Sequence, residues 1–200
     1  PGTVTLGYMG TFTHDADLAL VLPALRALSQ RHGDGLRLQV LGVVGREEGA
    51  SALAELPVER IRLSPAQMAY PRFLPWFTQR LRWDIGIAPL ADTPFNRAKS
   101  DLKHLDYAAQ GAAGAFSRVT SYRHTVRDGE TGLLVPNAWA AWEEALERLI
   151  QDEALRRRLA AGARDYLLAQ RTLATQAEGW AEALEAVVGK SQARGVSVPG

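Results

Sequence analysis

Residues 83–111, WDIGIAPLADTPFNRAKSDLKHLDYAAQG, contain the pattern that decides the fold. The first part, Trp83–Leu90, is almost continuously apolar, which is typical of a strand buried on both faces of a parallel sheet. A polar loop over Ala91–Ala98 follows this strand. Lys99–Gln110 is then predicted to be a helix, which Gly111 ends. The segment is therefore one strand, loop and helix unit of an alternating α/β domain.

The same alternation runs through the rest of the chain. Further strands are predicted at Val4–Met9, Leu36–Gly42, Ile61–Leu63, Ala112–Phe116 and Gly132–Val135. Further helices are predicted at Ala16–Arg31, Tyr70–Leu81, Ser121–Arg127, Trp139–Ile150, Glu153–Leu168 and Thr172–Val188. This order predicts a Rossmann-like three-layer fold, a parallel sheet with helices on both faces. We assign residues 1–188 to this domain and residues 189–200, which are polar and contain glycine, to a flexible tail.

Composition and charge narrow the class of protein. The chain has 200 residues, of which 46% are apolar, with 23 basic and 22 acidic side chains and a net charge of +1. These values are typical of a globular domain that buries a core without disulfides or metal ions. Cysteine is absent, which excludes thiolate nucleophiles, CxxC redox motifs and cysteine-ligated zinc. Because the arginines alternate with acidic residues, nucleic-acid binding is disfavoured.

The apolar runs and the start of the chain indicate the cellular compartment in which the protein is expected. No run approaches the roughly 20 apolar residues that a membrane span needs, and the start, Pro1–Val4, lacks the basic-then-apolar layout of a signal peptide. Together with the lack of cysteine, this predicts a cytoplasmic protein, or one bound peripherally to the inner membrane in its full-length form. Because the chain begins at Pro1 and not at methionine, we expect it to be excised from a longer protein.

The predicted topology selects two loops as the ligand site. Ligands of open parallel sheets bind at the carboxyl ends of the strands, next to the point where the strand order reverses. The loops concerned are Gly10–Asp15 after the first strand and Asp92–Ser100 after the fourth. We expect a ligand to lie between them.

The second of these loops has the chemistry of an anion site. Arg97 and Lys99 supply two cations at the mouth of the predicted helix, and Asn96 and Ser100 supply an amide and a hydroxyl. Cations at a helix N-terminus oppose the helix dipole, so helix stability does not explain them, whereas a bound polyanion does. The alternative is that Ser100 caps the helix and both cations point into water.

The first loop offers complementary groups. Gly10 permits close approach of a ligand to the backbone. Thr11 and Thr13 offer hydroxyls, and His14 donates to a phosphate oxygen when protonated. The alternative is that Thr13 or Asp15 merely caps the first helix. This loop is not a G-x-G-x-x-G motif and no acidic residue ends the second strand, so a nicotinamide dinucleotide site is disfavoured.

Asp106 is the candidate partner of a sugar hydroxyl. It lies seven residues beyond Lys99, on the face of the predicted helix that also holds Leu102. An acid there accepts hydrogen bonds from two ribose hydroxyls while Lys99 holds the phosphates. The alternative is a surface ion pair of Asp106 with Lys103 or Arg123.

Four segments resemble the carboxyl-terminal half of a GT-B glycosyltransferase, and more narrowly the group 1 or family 4 retaining enzymes of bacterial polysaccharide and lipopolysaccharide assembly. They are Trp83–Leu90, Phe95–Ser100, Lys103–Gly111 and Val126–Val135. The resemblance covers Val4–Val188, nearly the whole chain. Its most specific part is the sequence RDGETGLLV, which ends at Val135.

The resemblance implies a domain that binds a UDP- or GDP-linked sugar, which the enzyme transfers with retention to a glycan or lipid-linked acceptor. It implies no cofactor and no metal, since positive charge stabilises the departing diphosphate. Lys99 is the first choice for that charge, followed by Arg97 and His14. The substrate-binding residues are then Gly10, Thr11, Thr13, Asn96, Ser100, Leu102 and Asp106. The base pocket is placed at the loop Leu63–Tyr70.

The chain departs from the family pattern at two glutamates. The second glutamate, which holds the ribose, corresponds to Asp106, and the first, which addresses the sugar, falls on Ala98. That contact is either missing or supplied by Asn96 or Asp92. The family's lysine after the first strand falls at about His14, and no arginine is evident there.

The family also implies an acceptor-binding domain that precedes the donor domain. We therefore expect this chain to bind a donor without transferring the sugar by itself. The last helix of the family often crosses to the missing domain, so Trp180, Leu184 and Val187 are expected to be exposed and prone to association. The alternatives are a GT-B relative such as a nucleotide-sugar epimerase or a phosphorylase, and a non-catalytic interaction module that has lost donor binding.

Overall fold

The computed structural model describes residues 2–10, 15–42, 53 and 56–193, without the side chains of residues 15, 16 and 189–193. Its strands are β1 (Val4–Met9), β2 (Leu36–Leu41), β3 (Val58–Ile61), β4 (Ile85–Ala88), β5 (Ala113–Ser117) and β6 (Leu133–Val135). Its α-helices are α1 (Asp15–Ala19), α2 (Leu22–His32), α3 (Tyr70–Arg80), α4 (Pro94–Arg97), α5 (Leu102–Gln110), α6 (Thr120–Arg123), α7 (Trp139–Gln151), α8 (Glu153–Gln170) and α9 (Leu173–Ala193). Short 3-10 turns occupy Gly33–Gly35 and Pro65–Gln67.

The described strands form one parallel sheet in the order β3-β2-β1-β4-β5-β6. In β1, Leu6 is paired with Leu38 of β2 on one side and with Ile85 of β4 on the other. The chain builds the sheet outward from β1 to β3 and then returns to add β4 at the opposite edge of β1. The switch point of the sheet therefore lies between β1 and β4. The predicted Rossmann-like fold is confirmed.

Two apolar clusters hold the sheet between its helices. Ile85 and Ile87 of β4 belong to a cluster that includes Trp142 of α7. The next residue of that strand, Ala88, belongs to a second cluster together with Tyr107 of α5. Because neighbouring residues of a strand point to opposite faces, both faces of β4 are covered, as its continuous apolar sequence predicted.

Proline explains one difference from the predicted elements. The helix predicted over Ala16–Arg31 is two helices, and α1 ends at Ala19 before α2 begins at Leu22. Pro23 lies in the first turn of α2, where its missing N–H is tolerated. Inside one continuous helix, Pro23 would remove a hydrogen bond and its ring would clash with the carbonyl of Ala19.

The element boundaries near the predicted ligand loops also differ. The helix predicted over Lys99–Gln110 begins only at Leu102, because Asp101 before it has a non-helical ψ of +22°. Residues Pro94–Arg97 form a separate short helix, in which the Thr93 hydroxyl accepts a hydrogen bond from the Asn96 N–H. Ser100 is therefore not the cap of the helix that carries Asp106.

The third strand lies three residues earlier than predicted. It pairs with β2 from Val58 to Ile61, where Leu41 ends β2. Among the described residues no strand pairs with those after Ile61, so the predicted Ile61–Leu63 strand does not form beyond its first residue. Similarly, α6 ends at Arg123 and not at Arg127 as predicted.

The chain divides into two compact units, residues 1–164 and 165–200. The first holds the sheet. In the second, Trp180, Leu184 and Val187 of α9 are 66%, 63% and 67% exposed, so the predicted exposure of these apolar side chains is confirmed. No helix among the described residues combines the length and the apolar character needed to cross a membrane. The assignment of residues 1–188 to one domain stays a prediction.

Candidate ligand-binding site

A cavity of about 260 Å³ opens at the carboxyl ends of β1 and β2. The described residues that line it are Met9, Gly10, Leu41, Gly42, Leu63, Tyr70, Phe73, Leu102, Lys103 and Asp106. They come from two strand ends, from the segment after β3, and from α3 and α5. Because β1 borders the switch point, the cavity lies where open parallel sheets bind ligands.

Two glycines keep the strand-end side of the cavity open. The Gly10 N–H donates to the Leu41 carbonyl at 3.1 Å, which ties the ends of β1 and β2 together. Gly42 has a φ of +101°, and a Cβ at this position would lie 2.3 Å from the Gly10 carbonyl oxygen. A larger residue at position 42 would therefore be strained and would collide with the backbone.

Asp106 provides the carboxyl group of the cavity. The residue is 3% exposed, and its Oδ1 accepts a 2.7 Å hydrogen bond from the Tyr70 hydroxyl. Burial raises the pKa of Asp106 to about 6, while the Tyr70 hydrogen bond and the Lys103 charge oppose this rise. Burial and Asp106 raise the pKa of Tyr70 far above its usual value, so this phenol keeps its proton and remains the donor.

Lys103 provides an ammonium group in the same cavity. Its Nζ lies 5.1 Å from the centre of the Tyr8 ring, a cation–π contact. Burial lowers the pKa of Lys103 to about 8; Asp17 opposes this effect, Lys99 adds to it and Asp106 opposes it. At neutral pH, Lys103 is therefore mostly charged in a surrounding that hydrates the charge poorly.

Asp17 of α1 joins the first helix to the loop after β4. The side chain is buried, and its Oδ1 accepts hydrogen bonds from the Ala91 N–H at 2.7 Å and the Asn96 amide at 3.2 Å. Its other oxygen lies 4.0 Å from the Lys99 Nζ. Lys99 also lies over the ring of Phe95, 5.1 Å from its centre. The carboxylate of Asp17 therefore offsets the charge of Lys99.

The predicted substrate-binding residues other than Asn96, together with His14, fall into three groups. Gly10, Leu102 and Asp106 line the cavity. Ser100 is exposed on the segment between α4 and α5 and is not a lining residue. The other predicted residues, Thr11, Thr13 and His14, lie outside the described residues.

Two residues of the predicted anion loop have structural partners. Asn96 is buried, and its amide nitrogen donates to Asp17 and to the Ala91 carbonyl. This amide nitrogen is used inside the protein, and the role of Asn96 in place of the missing first glutamate stays a prediction. Arg97 donates to both oxygens of Asp92 at 2.7 and 3.2 Å, and both side chains are exposed. Arg97 and Asp92 thus pair with each other at the surface, and their roles at the ligand stay predictions.

Sequence reasoning placed Tyr70 at the end of the predicted base-pocket loop, and Leu63 and Tyr70 both line the cavity, but it did not predict the contact of Tyr70 with Asp106 or place Lys103 in the cavity. Tyr70 lies 36 residues before Asp106 in the chain, and no motif connects the two. For Lys103 a signal existed, because it precedes Asp106 by three residues and so lies on the same helix face. A surface ion pair with Asp106 was the alternative interpretation of Lys103, whereas both side chains line the cavity.

Lys99 and Lys103 are the ammonium groups beside the buried carboxyls of Asp17 and Asp106. Within the described parts of the chain, no three His, Asp or Glu side chains are grouped so that they could hold a metal ion. For an anion that enters this cavity, the positive charge on offer in the described site is therefore that of the lysines.

The chain matches no protein-family model and no curated protein by sequence. Solved structures match its fold. The C-terminal domain of a glycosyl transferase group 1 family protein, LpcC, from Francisella tularensis has a TM-score of 0.66 at 19% identity and covers 86% of this chain and 88% of that one. Sucrose-phosphate synthase from Thermosynechococcus elongatus has a TM-score of 0.72 at 20% identity, over 94% of this chain and 46% of that one.

A third similar structure is HepE from Anabaena in complex with UDP and glucose. It has a TM-score of 0.70 at 13% identity and covers 92% of this chain and 49% of its own. The chain thus spans about half the length of HepE and of the sucrose-phosphate synthase. At these identities the likeness shows the fold alone, which this chain shares with the C-terminal domain of LpcC, as the sequence resemblance implied.

Proposed function

We propose that this chain is the donor-binding domain of a bacterial glycosyltransferase, which transfers a sugar from a nucleotide-diphosphate sugar to a glycan or lipid-linked acceptor with retention. The observation that carries this proposal is the cavity beside the switch point, which combines an apolar lining with the buried Asp106 carboxyl and the Lys103 ammonium. The similar structure of HepE was solved with UDP and with UDP-glucose, which makes uridine nucleotides the first ligands to test.

The apolar part of the cavity suits a nucleobase. Leu41, Leu63 and Phe73 contribute apolar surface against which a flat ring packs. The cavity volume of about 260 Å³ is close to the lower end of the roughly 300–1,000 Å³ that is usual for small-molecule sites. A cavity of this size fits the nucleoside of the donor, and the diphosphate and the sugar then lie outside its apolar part.

Asp106 then receives the ribose. A carboxylate accepts hydrogen bonds from two neighbouring hydroxyls with its two oxygens. One of these oxygens now accepts from Tyr70, so a ribose that binds both oxygens displaces or shares this contact. Asp106 is shorter than the family's glutamate by one methylene, and the ribose has to approach α5 correspondingly more closely.

Positive charge at the diphosphate promotes the transfer step. The bond between the anomeric carbon and the phosphate oxygen breaks, and its electron pair stays on that oxygen. The acceptor hydroxyl oxygen bonds to the same carbon from the face that the leaving group vacates, and its proton passes to the departing phosphate. Because the phosphate gains charge in this step, a nearby ammonium such as Lys99 stabilises the transition state more than the ground state. The role first assigned to His14 stays a prediction.

A second domain supplies the acceptor in this proposal. GT-B sites lie between two Rossmann-like domains, and this chain has the fold of one of them. We expect the chain to bind nucleotide without transferring sugar, and to regain transfer when the acceptor domain is present. The exposed apolar residues of α9, Trp180, Leu184 and Val187, are the surface that we expect to associate.

Calorimetric titration tests the proposal directly. UDP, GDP and their glucose and mannose conjugates are titrated into the wild-type chain and into Asp106→Asn. We expect binding of one base class and a loss of about tenfold in affinity in the variant, which corresponds to one charge-assisted hydrogen bond. Asp34→Asn is the matched control, because Asp34 is exposed and precedes β2 at the amino end of the sheet.

The second candidate function is a non-catalytic interaction module. It is favoured by Ala98, which stands where the family's first glutamate is expected and has no functional group. The same titration separates the two. Absence of binding by any of the nucleotides at millimolar concentration would favour the module and overturn the donor-binding proposal.

A further inference from the structure

The Lys103 ammonium has no carboxylate partner among the described residues. None of their carboxylate oxygens lies within 4.0 Å of its Nζ, and its described contact is with the face of the Tyr8 ring. Asp106, the other charged residue of the cavity, accepts its hydrogen bond from Tyr70 and none from Lys103 among the described contacts. Lys103 therefore carries a positive charge into an apolar cavity without the ion pair that normally accompanies such burial.

Lys99 differs in this respect. Asp17 lies 4.0 Å from its Nζ, and the same carboxylate is oriented by the Ala91 N–H and the Asn96 amide. A carboxylate held by two other donors stays in place when a ligand binds. An incoming anion would meet the charge of Lys99 with the Asp17 carboxylate 4.0 Å from its Nζ, whereas no carboxylate oxygen of the described residues lies that close to the Lys103 Nζ.

We propose that Lys103 is the residue that contacts the diphosphate of the bound nucleotide and supplies the cation that the first strand's loop lacks in this chain. This inference rests on the proposed function and deepens it. Lys103 precedes Asp106 by three residues and lies on the same side of α5, and both residues line the cavity. A nucleotide whose ribose binds Asp106 therefore has its phosphates within reach of the flexible Lys103 side chain.

The surroundings of Lys103 fit this role. The titratable and charged groups near it are Tyr8 on β1, Asp17 on α1, Tyr70 on α3, Lys99 before α5, and Asp106 on α5. Asp17 and Asp106 raise its proton affinity, but burial outweighs them and the pKa stays near 8. A phosphate in contact with Nζ favours the charged form and raises this pKa, so the diphosphate is taken up together with a proton at pH 8.

The test compares a nucleotide with its nucleoside. Uridine and UDP, or guanosine and GDP if guanine is the preferred base, are titrated into the wild-type chain, Lys103→Met and Lys99→Met. We expect wild type to bind UDP at least tenfold more tightly than uridine. Lys103→Met should lose most of this preference and bind uridine within about twofold of wild type. Lys99→Met should keep more of the preference than Lys103→Met does.

A second measurement uses the unaltered protein and does not depend on the folding of a variant. UDP binding at pH 8 is measured in two buffers of different ionisation enthalpy. The UDP phosphates are already ionised at this pH, since the second phosphate pKa is about 6. With a Lys103 pKa of about 8, we expect uptake of up to about half a proton on binding. At pH 6.5, where Lys103 is already protonated, this uptake disappears.

The possible outcomes separate the two proposals. If wild type binds uridine and UDP but Lys103→Met keeps the full preference for UDP, the role of Lys103 is refuted and the donor-binding function stands. The same conclusion follows from an equal loss of uridine and UDP binding in a folded variant, or from no proton uptake at pH 8. If wild type binds no nucleoside and no nucleotide, the proposed function fails and the role of Lys103 fails with it.

Discussion

The Tyr70 hydroxyl donates a 2.7 Å hydrogen bond to the carboxylate of Asp106 across the cavity, from α3 to α5. Tyr70 is 42% exposed and Asp106 is 3% exposed, so the bond joins the rim of the cavity to its interior. The protein thus satisfies with its own side chain the acceptor that we assign to the ribose.

Removing the Tyr70 hydroxyl should ease nucleotide binding. In Tyr70→Phe the ring stays but no longer competes for Asp106 Oδ1, so we expect UDP affinity at pH 8 to rise about threefold. The folded protein should lose on the order of 1 kcal/mol of stability, because the buried carboxyl loses a donor. Calorimetry and urea unfolding measure the two effects. A loss of nucleotide affinity by tenfold would instead mean that the hydroxyl itself contacts the ligand.

The raised pKa of Asp106 predicts a pH-dependent stability difference. In the folded chain this carboxyl has a pKa of about 6, above the ordinary value of 3.8, so the folded state binds the proton more tightly than the unfolded state. Its contribution to stability is therefore present at low pH and is lost as the pH rises through 6. We expect Asp106→Asn to gain on the order of 2 kcal/mol relative to wild type between pH 4.5 and pH 8.

Urea unfolding of both proteins at the two pH values measures this difference. Asp34→Asn, the exposed control, should show a difference near zero across the same range. An Asp106→Asn advantage that does not change with pH would show that the carboxyl does not titrate in the folded state as described.

The lowered pKa of Lys103 predicts that stability depends on pH in the opposite direction. Burial lowers its folded pKa to about 8 from 10.5, so the protein is destabilised while the lysine is charged and recovers that stability as the pH rises from 8 to above 10. We expect Lys103→Met to be more stable than wild type at pH 7, by on the order of 1–2 kcal/mol after allowance for its partial exposure. Thermal unfolding at pH 7 and pH 10 measures the effect, and the advantage should shrink at pH 10. A variant less stable than wild type at both values would contradict the cost of the buried charge.

Gly42 is required by the backbone at the cavity. Gly42→Ala places a Cβ 2.3 Å from the Gly10 oxygen at a φ of +101°, so we expect a loss of about 1–3 kcal/mol in unfolding free energy. Nucleotide affinity should fall as well, since the shifted backbone narrows the cavity. Gly35→Ala is the matched control, because no atom lies within 4 Å of a Cβ there and its φ is not positive. Equal stability of the two variants would refute the strain at Gly42.

Much of the fold follows from local sequence pattern. The uninterrupted apolar run at β4 and the alternation of strands and helices specify a parallel sheet covered on both faces, because only that arrangement buries such strands. The exact ends of the helices and strands depended on single residues and on the pairing of strands. Pro23 divides the first predicted helix, and the length of β2 sets where β3 ends.

The sequence predicted only some of the residues that line the binding cavity. Asp106 and Gly10 were accessible to sequence reasoning, since topology places strand ends and the following helix at the ligand site. Tyr70 was placed only in the loop of the predicted base pocket and Lys103 was not placed at the ligand. The contact of Tyr70 with Asp106 and the position of Lys103 depend on which side chains of α3 and α5 face each other across the cavity. The partners of Lys99 and Arg97 were not predicted either. In the folded loops Asp17 lies beside Lys99, and Asp92 pairs with Arg97.

The amino-acid pattern alone was enough for the layers, the parallel strands and the edge of the sheet that holds a ligand, because hydrophobic periodicity and connection rules act over short stretches of chain. The folded chain was needed to show which lysine has its charge offset by an acid and which lysine faces the cavity. Charge pairing is set by distances of a few ångströms between residues far apart in sequence, and those distances exist only once the helices are packed on the sheet.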